Sequence, residues 1–272
     1  MTNPDAGAPA RTHLDVADAV ARVVAGVGRL GAERMRTGDA AGRVLATAVR
    51  SAIDLPPWNN AAMDGYAVRA TDVTRVPATL RVVETVAAGA FPARAIASGE
   101  ATRIMTGAPV PDGADTVVRV EDTDGGRQHV EVRANRDAGK NVRPRGEDIL
   151  AGAEALAAGA VLGAAQLGVL AAIGAADVDV VRRPRVGILT SGDELVPPER
   201  FAEAATGRKI VSSNSVTLRE LVRDAGGEPV DLGIAADTRE SLRDHLQRAA
   251  GLDLVLTSGG ISVGEFDYVR AV

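Results

Sequence analysis

The chain has no cysteine, only two lysines, three histidines and six aromatic residues among its 272 positions. Without cysteine there are no disulfides, no thiolate metal ligands and no thiol nucleophile. His13, His129 and His245 are too far apart in sequence for a zinc-ligand spacing, so any metal is expected to be a hard cation held by carboxylates. Of the 31 basic residues only Lys140 and Lys209 are lysine, and the net charge is -5. That balance offers no basic binding face, and Trp58, Tyr66, Phe91, Phe201, Phe266 and Tyr268 are too few for a base-stacking surface, so nucleic acid is not an expected partner. The most apolar stretch, 163–181, contains Gln166, Asp177 and Asp179, and its uninterrupted part falls far short of the roughly 20 residues of a membrane span. It reads as a buried helix followed by a strand. Residues 1–11 show no apolar run after a basic start, which predicts no secretory signal and a cytoplasmic location.

What is present changes pattern twice along the chain. Thr12 followed by Asp15 resembles a capping pair, and Val16, Val20, Val23, Val24 and Val27 recur at helical spacing, predicting an amphipathic first helix that ends at Gly26, Gly28 and Gly31. From Pro56 to Asn135 short alternating runs, such as 79–86, are separated by Gly and Pro, the mark of a β-rich module. Within it 117–121 and 130–133 flank the Asp- and Gly-rich segment 122–127, which predicts a hairpin because Asp and Gly tolerate positive φ. After Asp148 the chain is Ala-rich and predicted helical through Gly174, so a helical layer brackets a β insertion. From Arg185 the order is strand 186–189, helix 215–225, strand 228–234, helix 238–250 and strand 252–256, which implies right-handed crossovers and a parallel sheet. The expected fold is α/β plus β in several domains. Residues 11–55 and 140–182 form a discontinuous, elongated helical linker, 56–139 a β-rich insertion, and 183–272 a partial Rossmann-like α/β domain.

Two of the strand ends are nearly identical, Leu189-Thr-Ser-Gly-Asp-Glu194 and Leu256-Thr-Ser-Gly-Gly-Ile261. Parallel sheets bind ligands at the carboxyl ends of their strands, and small hydroxyl residues with glycines let backbone N–H groups approach an oxyanion. Thr190, Ser191, Gly192, Ser258, Gly259, Gly260 and Ser262 are therefore the candidate substrate-binding residues. Glu194 and Asp267 lie a few residues beyond these ends, where a hard cation could bridge carboxylates and substrate phosphates; ordinary partners for a helix first turn are the competing use. After the last strand only 264–272 remain where a crossover helix is needed, and about five residues do not make a stable helix. The α/β domain is expected to be cut through its middle.

Asp54-Leu-Pro-Pro-Trp-Asn-Asn-Ala-Ala-Met-Asp-Gly-Tyr-Ala67, Arg103-Ile-Met-Thr-Gly-Ala-Pro-Val-Pro111, Gly139-Lys-Asn-Val-Arg-Pro-Arg-Gly-Glu-Asp148, Ser191-Gly-Asp-Glu194 and Ser258-Gly-Gly-Ile-Ser-Val-Gly-Glu-Phe-Asp-Tyr268 together resemble the molybdopterin molybdenumtransferases, the MoeA and gephyrin E-domain family. The resemblance runs from about Leu14 to Val272. It implies an enzyme of molybdenum cofactor biosynthesis that inserts molybdate into the dithiolene of adenylated molybdopterin and releases AMP, with Mg²⁺ required. It also implies a homodimer in which the β module of one subunit faces the α/β domain of the other. Carried over position by position, the candidate catalytic residues are Asp64, Thr106, Asp148, Glu194, Asp237 and Asp267, with Glu194 and Asp267 as metal ligands. The family continues past the point where this chain stops. A catalytically incomplete fragment acting as a molybdopterin-binding or scaffold protein is thus the alternative.

Simpler uses compete at several of these positions. Asp64 before Gly65 fits an ordinary turn, and Thr106 before Gly107 fits a strand end, its hydroxyl being equally able to donate to an oxyanion. Asp237-Thr-Arg-Glu240 is a capping-box pattern with Asp237 as the N-cap. Lys140, Arg143 and Arg145 suit a solvated loop as well as a phosphate or molybdate contact.

Overall fold

A computed structural model describes residues 14–259 and Val269. Asp267, Gly260, Ser262, Thr12 and the terminal segment 264–268 with 270–272 lie outside the described residues. The chain divides into two compact units: Arg34–Asp179 forms one, and the residues up to Glu33 together with those from Val180 form the other.

The chain opens with α1 (Val16–Ala25), whose N-cap Asp15 accepts a hydrogen bond from the Asp18 N–H. The predicted helix is there, yet it buries none of its residues, and Val16, Val20, Val23, Val24 and Val27 are all exposed. Next come β1 (Ala32–Arg36), β2 (Val49–Arg50), β3 (Asn60–Ala61), β4 (Gly65–Val68), β5 (Ala78–Val86), β6 (Glu100–Ile104), β7 (Thr116–Arg119), β8 (His129–Val132), β9 (Val142–Arg143), β10 (Glu154–Leu156), α2 (Ala164–Ala172) and β11 (Asp177–Val181). The centre of the 34–179 unit is a five-stranded sheet in the order β7-β4-β6-β5-β8, mixed because β5 and β6 run parallel. Side chains alternate across it: Tyr66, Val68, Leu80, Ala101, Val118 and Val130 pack in one cluster, while Ala67, Val86, Ile104 and Val117 pack in another.

Two expectations fail in this unit. The predicted hairpin does not form, because β7 and β8 are the opposite edges of the sheet. The Asp-Gly turn is used, but the arm that meets β8 is 122–124: Arg133 N–H donates to the Asp122 carbonyl at 2.8 Å, and Asp124 N–H to the Glu131 carbonyl at 3.1 Å. The run 117–121 instead feeds β7, which β4 claims along four residues. Local turn chemistry set the bend, and long-range pairing chose the partners. The second failure is the helix expected from Asp148 onward. Only Ala164–Ala172 is helical, since Gly152 and Gly159 adopt positive φ (81° and 86°) and 154–156 pairs with β2 as strand β10. Ala propensity is too weak to override such turns. The buried helix and strand read from 163–181 appear as α2 and β11, with Leu170, Val178 and Val180 in the core.

The α/β unit continues with β12 (Arg185–Ser191), β13 (Leu195–Val196), α3 (Phe201–Ala204), β14 (Ile210–Val211), α4 (Ser213–Asp224), β15 (Glu228–Ala235), α5 (Arg239–Gln247) and β16 (Leu254–Ser258). The three predicted strands all form, as parallel neighbours in the order β15-β12-β16. Chain order reverses at β12, so its carboxyl end and that of β16 flank a switch point. The sheet packs tightly at Gly187, where a Cβ would lie 2.8 Å from Leu232 and 2.9 Å from Leu252.

Candidate functional site

In the 34–179 unit, Asp64 and Thr106 come together although 42 residues separate them. Thr106 donates both its backbone N–H and its hydroxyl to Asp64 Oδ1, each at 2.7 Å. Thr106 occupies the tip of a turn closed by Ala108 N–H to the Met105 carbonyl, with Gly107 at φ 81°. Gly107 N–H donates to Ala61, two residues before Met63-Asp64, so the turn is pinned against the strand that leads into the aspartate. Gly65 is not the turn glycine its Asp-Gly context suggests. It opens β4, and a Cβ there would lie 1.9 Å from the Val118 carbonyl oxygen, so only glycine lets β4 approach β7.

The hydrogen bonds from Thr106, backbone first and side chain second, hold the Asp64 carboxyl below the usual carboxylate range. Asp64 is therefore ionised near neutral pH. The Thr106 hydroxyl has spent its proton on Asp64 and presents only acceptor lone pairs elsewhere, which corrects the expectation that it donates to an oxyanion. Asp148 is exposed in the same unit and accepts two hydrogen bonds from Arg143 Nη2, at 2.9 and 2.8 Å. Arg143 also meets Glu147, and Arg145 meets Asp54, so two of the three cations considered for anion contact already carry carboxylates.

In the α/β unit, Ser191 and Gly192 close β12 while Ser258 and Gly259 close β16, side by side at the switch point. Gly259 (φ 94°) leaves room for no Cβ, which would sit 2.7 Å from the Ser191 carbonyl oxygen and 3.0 Å from Ser191 Oγ. Among the described residues, Ser191 Oγ is buried without a hydrogen-bond partner, and so is Ser212 Oγ just ahead of α4. Thr190 is buried, its hydroxyl 3.5 Å from the Gly233 carbonyl. Glu194 folds back over Gly192, so that a Cβ on that glycine would lie 2.8 to 2.9 Å from the two carboxylate oxygens.

Asp237 is not the N-cap. Thr238 caps α5 by accepting from Ser241 N–H, and Asp237 Oδ2 instead accepts from Asp193 N–H at 3.3 Å while Asp193 Oδ1 accepts from Asp237 N–H at 3.2 Å. The reciprocal pair ties the loop after β12 to the loop after β15. Four neighbours escaped sequence reasoning: Asp193, Lys209, whose Nζ donates to the Asp193 carbonyl, Ser212, and Asn214, which donates to Ser258 Oγ at 2.9 Å. The Ser-Ser-Asn-Ser run at 212–215 and the rarity of lysine were the available signals. Among the described residues no three acidic or histidine side chains gather as a metal cluster.

A mixed sheet inserted ahead of a parallel sheet with two Thr-Ser-Gly ends defines a class. Residues 14–174 match the MoeA N-terminal region (domain I and II), and residues 187–272 match the probable molybdopterin binding domain. The chain belongs to the MoeA family. It is 42% identical over 236 residues to the molybdopterin molybdenumtransferase of Nostoc sp., covering 85% of this chain and 53% of that protein. It is 40% identical to molybdopterin molybdenumtransferase 2 of Mycobacterium tuberculosis, covering 85% of this chain and 58% of that protein. The crystal structure of the molybdopterin biosynthesis moeA protein from Pyrococcus horikoshii OT3 superposes with a TM-score of 0.82 at 32% identity, over 89% of this chain and 65% of that one. The chain thus spans about half the length of the curated relatives it matches.

Proposed function

We propose that the chain belongs to a cytoplasmic transferase that inserts molybdenum into adenylated molybdopterin and releases AMP, late in molybdenum cofactor biosynthesis. The observation that carries this reading is the switch point of the α/β unit. Two Thr-Ser-Gly ends lie side by side there, and among the described residues the Ser191 hydroxyl is buried and unpartnered, a donor able to meet a ligand oxygen. The pterin phosphate region would engage Ser191, Ser258 and the glycines, with Asn214 orienting the Ser258 hydroxyl.

Asp64 would serve the molybdate end. Its low pKa disfavours storing a proton, so the role that fits is orienting water or a protonated oxo group through Oδ2, with Thr106 fixing the carboxylate's direction. Mg²⁺ suits the oxygen-only donor set: the Glu194 carboxylate, packed over Gly192, would hold it together with Asp267. When bound, the ion neutralises charge on the departing phosphate. Asp237 and Asp193 hold the Glu194 loop, and Asp148 orients Arg143. The exposed valine stripe of α1 supports a homodimer, with 11–55 and 140–182 proposed as its dimerisation region, 56–139 as the insertion and 183–272 as the molybdopterin-binding part.

The test is AMP release from adenylated molybdopterin with Mg²⁺, with and without molybdate. Molybdate-dependent release is expected, and Asp64→Asn should lower it at least about 100-fold. Tight binding of adenylated molybdopterin with no release would favour the binding or scaffold role, and full activity in Asp64→Asn would remove Asp64 from the site.

A further inference from the structure

One cation beside the switch point takes no part in the proposed chemistry. Lys209 is one of only two lysines in the chain and stands just ahead of β14. Its Nζ donates to the Asp193 carbonyl oxygen, 16 residues back along the chain. The backbone that follows runs the same way: Ile210 N–H donates to the Glu194 carbonyl at 2.8 Å, and Ser212 N–H to the Val196 carbonyl at 2.9 Å. Residues 209–212 thus form a strap along 193–196, and Lys209 is the one side chain of the strap that hydrogen-bonds across it.

What Lys209 holds is a turn. Leu195 N–H donates to the Gly192 carbonyl at 3.1 Å, so Asp193 and Glu194 are the two central residues of a β-turn at the end of β12. The peptide between them is the central peptide of that turn, and its oxygen is the atom that Lys209 takes. Rotation of this peptide interconverts type I and type II turns, which changes φ at the second central residue and with it the direction of its Cβ. Among the described residues Asn141 is the one non-glycine with positive φ, so Glu194 keeps the unflipped form. In that form its carboxylate oxygens lie 2.8 and 2.9 Å from where a Cβ on Gly192 would be. The other ties of the turn leave the peptide oxygen alone: Asp237 meets the Asp193 N–H and carboxylate, and Ile210 meets the next carbonyl. An ammonium is a compact point donor suited to one carbonyl oxygen, and its charge makes the bond stronger than a neutral one.

We propose that Lys209 is a positioning residue for Glu194: it holds the central peptide of the 192–195 turn and so keeps the Glu194 carboxylate in the pose that takes the hard cation. The consequence for metal rests on Glu194 being a ligand, as proposed above, whereas the turn contact does not.

Two readouts on the whole chain separate these. Without metal, hydrogen exchange at the Leu195 amide, read by NMR, reports the turn. Lys209→Met should speed it about tenfold or more, Lys209→Arg, which keeps a cationic donor, should restore it, and the Leu189 amide inside β12 should exchange as in the wild type. With Mn²⁺ as the probe, a hard dication visible by electron paramagnetic resonance, Lys209→Met should weaken binding about tenfold and Lys209→Arg by less than about threefold. The sign is diagnostic, because loss of a positive charge beside a cation site would by electrostatics alone tighten a dication. Unchanged Leu195 exchange in Lys209→Met, exchange that Lys209→Arg fails to restore, or equal acceleration at Leu189 would overturn the proposal. So would Mn²⁺ bound by Lys209→Met as tightly as by the wild type, or more tightly. A wild type that binds no Mn²⁺ while the exchange results hold would keep Lys209 as the holder of the Glu194 turn and remove the metal role of Glu194.

Discussion

Two sites, one in each unit, treat their polar groups in opposite ways. Around Asp64 in the 34–179 unit, carboxylates and cations are paired off: Thr106 saturates Asp64 Oδ1, Arg143 grips Asp148, and Arg119 grips Asp137 with two hydrogen bonds of 2.8 Å. At the switch point of the α/β unit, Ser191 and Ser212 keep buried hydroxyls without partners among the described residues. The first arrangement holds a geometry in the absence of ligand. The second leaves hydrogen-bonding capacity unsatisfied among the described residues, which costs stability. A preorganised anchor and an unsatisfied cradle are complementary designs, and they should respond differently to substitution.

The largest expected effect is on the anchor. Asp137→Ala leaves the half-buried Arg119 guanidinium without its main partner and should destabilise the 34–179 unit by about 3 kcal/mol. Urea unfolding followed by Trp58 fluorescence should shift strongly, while the helical circular dichroism transition of the α/β unit stays put. A shift of both together would show that the units unfold as one.

Acid should separate them next. The Arg119 hydrogen bond lowers the Asp137 pKa from 3.8 to about 2. A lowered folded pKa means that this stabilisation is complete above the unfolded value near 4 and is lost as pH falls through about 2. Roughly 2 kcal/mol should disappear across that window, read as a falling Trp58 midpoint that Asp137→Ala no longer shows.

Smaller effects belong to the cradle. Gly259→Ala combines a φ of 94° with a Cβ 2.7 Å from the Ser191 carbonyl oxygen, and should cost about 1–3 kcal/mol in the α/β unit while abolishing binding of adenylated molybdopterin. Ser191→Ala should change stability by less than about 1 kcal/mol, or raise it, because the hydroxyl has no partner among the described residues to lose. Its binding of adenylated molybdopterin should nevertheless weaken. A Ser191→Ala protein that is markedly less stable yet binds normally would mean that the hydroxyl serves the fold rather than a ligand.

Much of the α/β unit was legible because its information is local. Strands alternate with helices, apolar runs mark the buried parallel strands, and the repeated Thr-Ser-Gly motifs mark two neighbouring strand ends. The 34–179 unit was less legible because its partners are distant. Nothing near Val117 says that β4 will pair with it, and nothing near Asp64 says that Thr106 will bind it. Asp237 shows the same limit at short range: Asp and Thr both cap helices, and only the position of Asp193 across the sheet decides that Asp237 turns away and Thr238 takes the cap.

The sequence by itself determined the order of elements in the α/β unit and the residue types available for an oxyanion and a hard cation, since periodicity and small side chains act over a few residues. Tertiary structure alone decided which edge β8 occupies, that Asp64 is held charged by Thr106, and that Ser191 is left unpartnered among the described residues. Those outcomes depend on which distant backbone groups meet, and the energies that select among them arise only after the chain has packed.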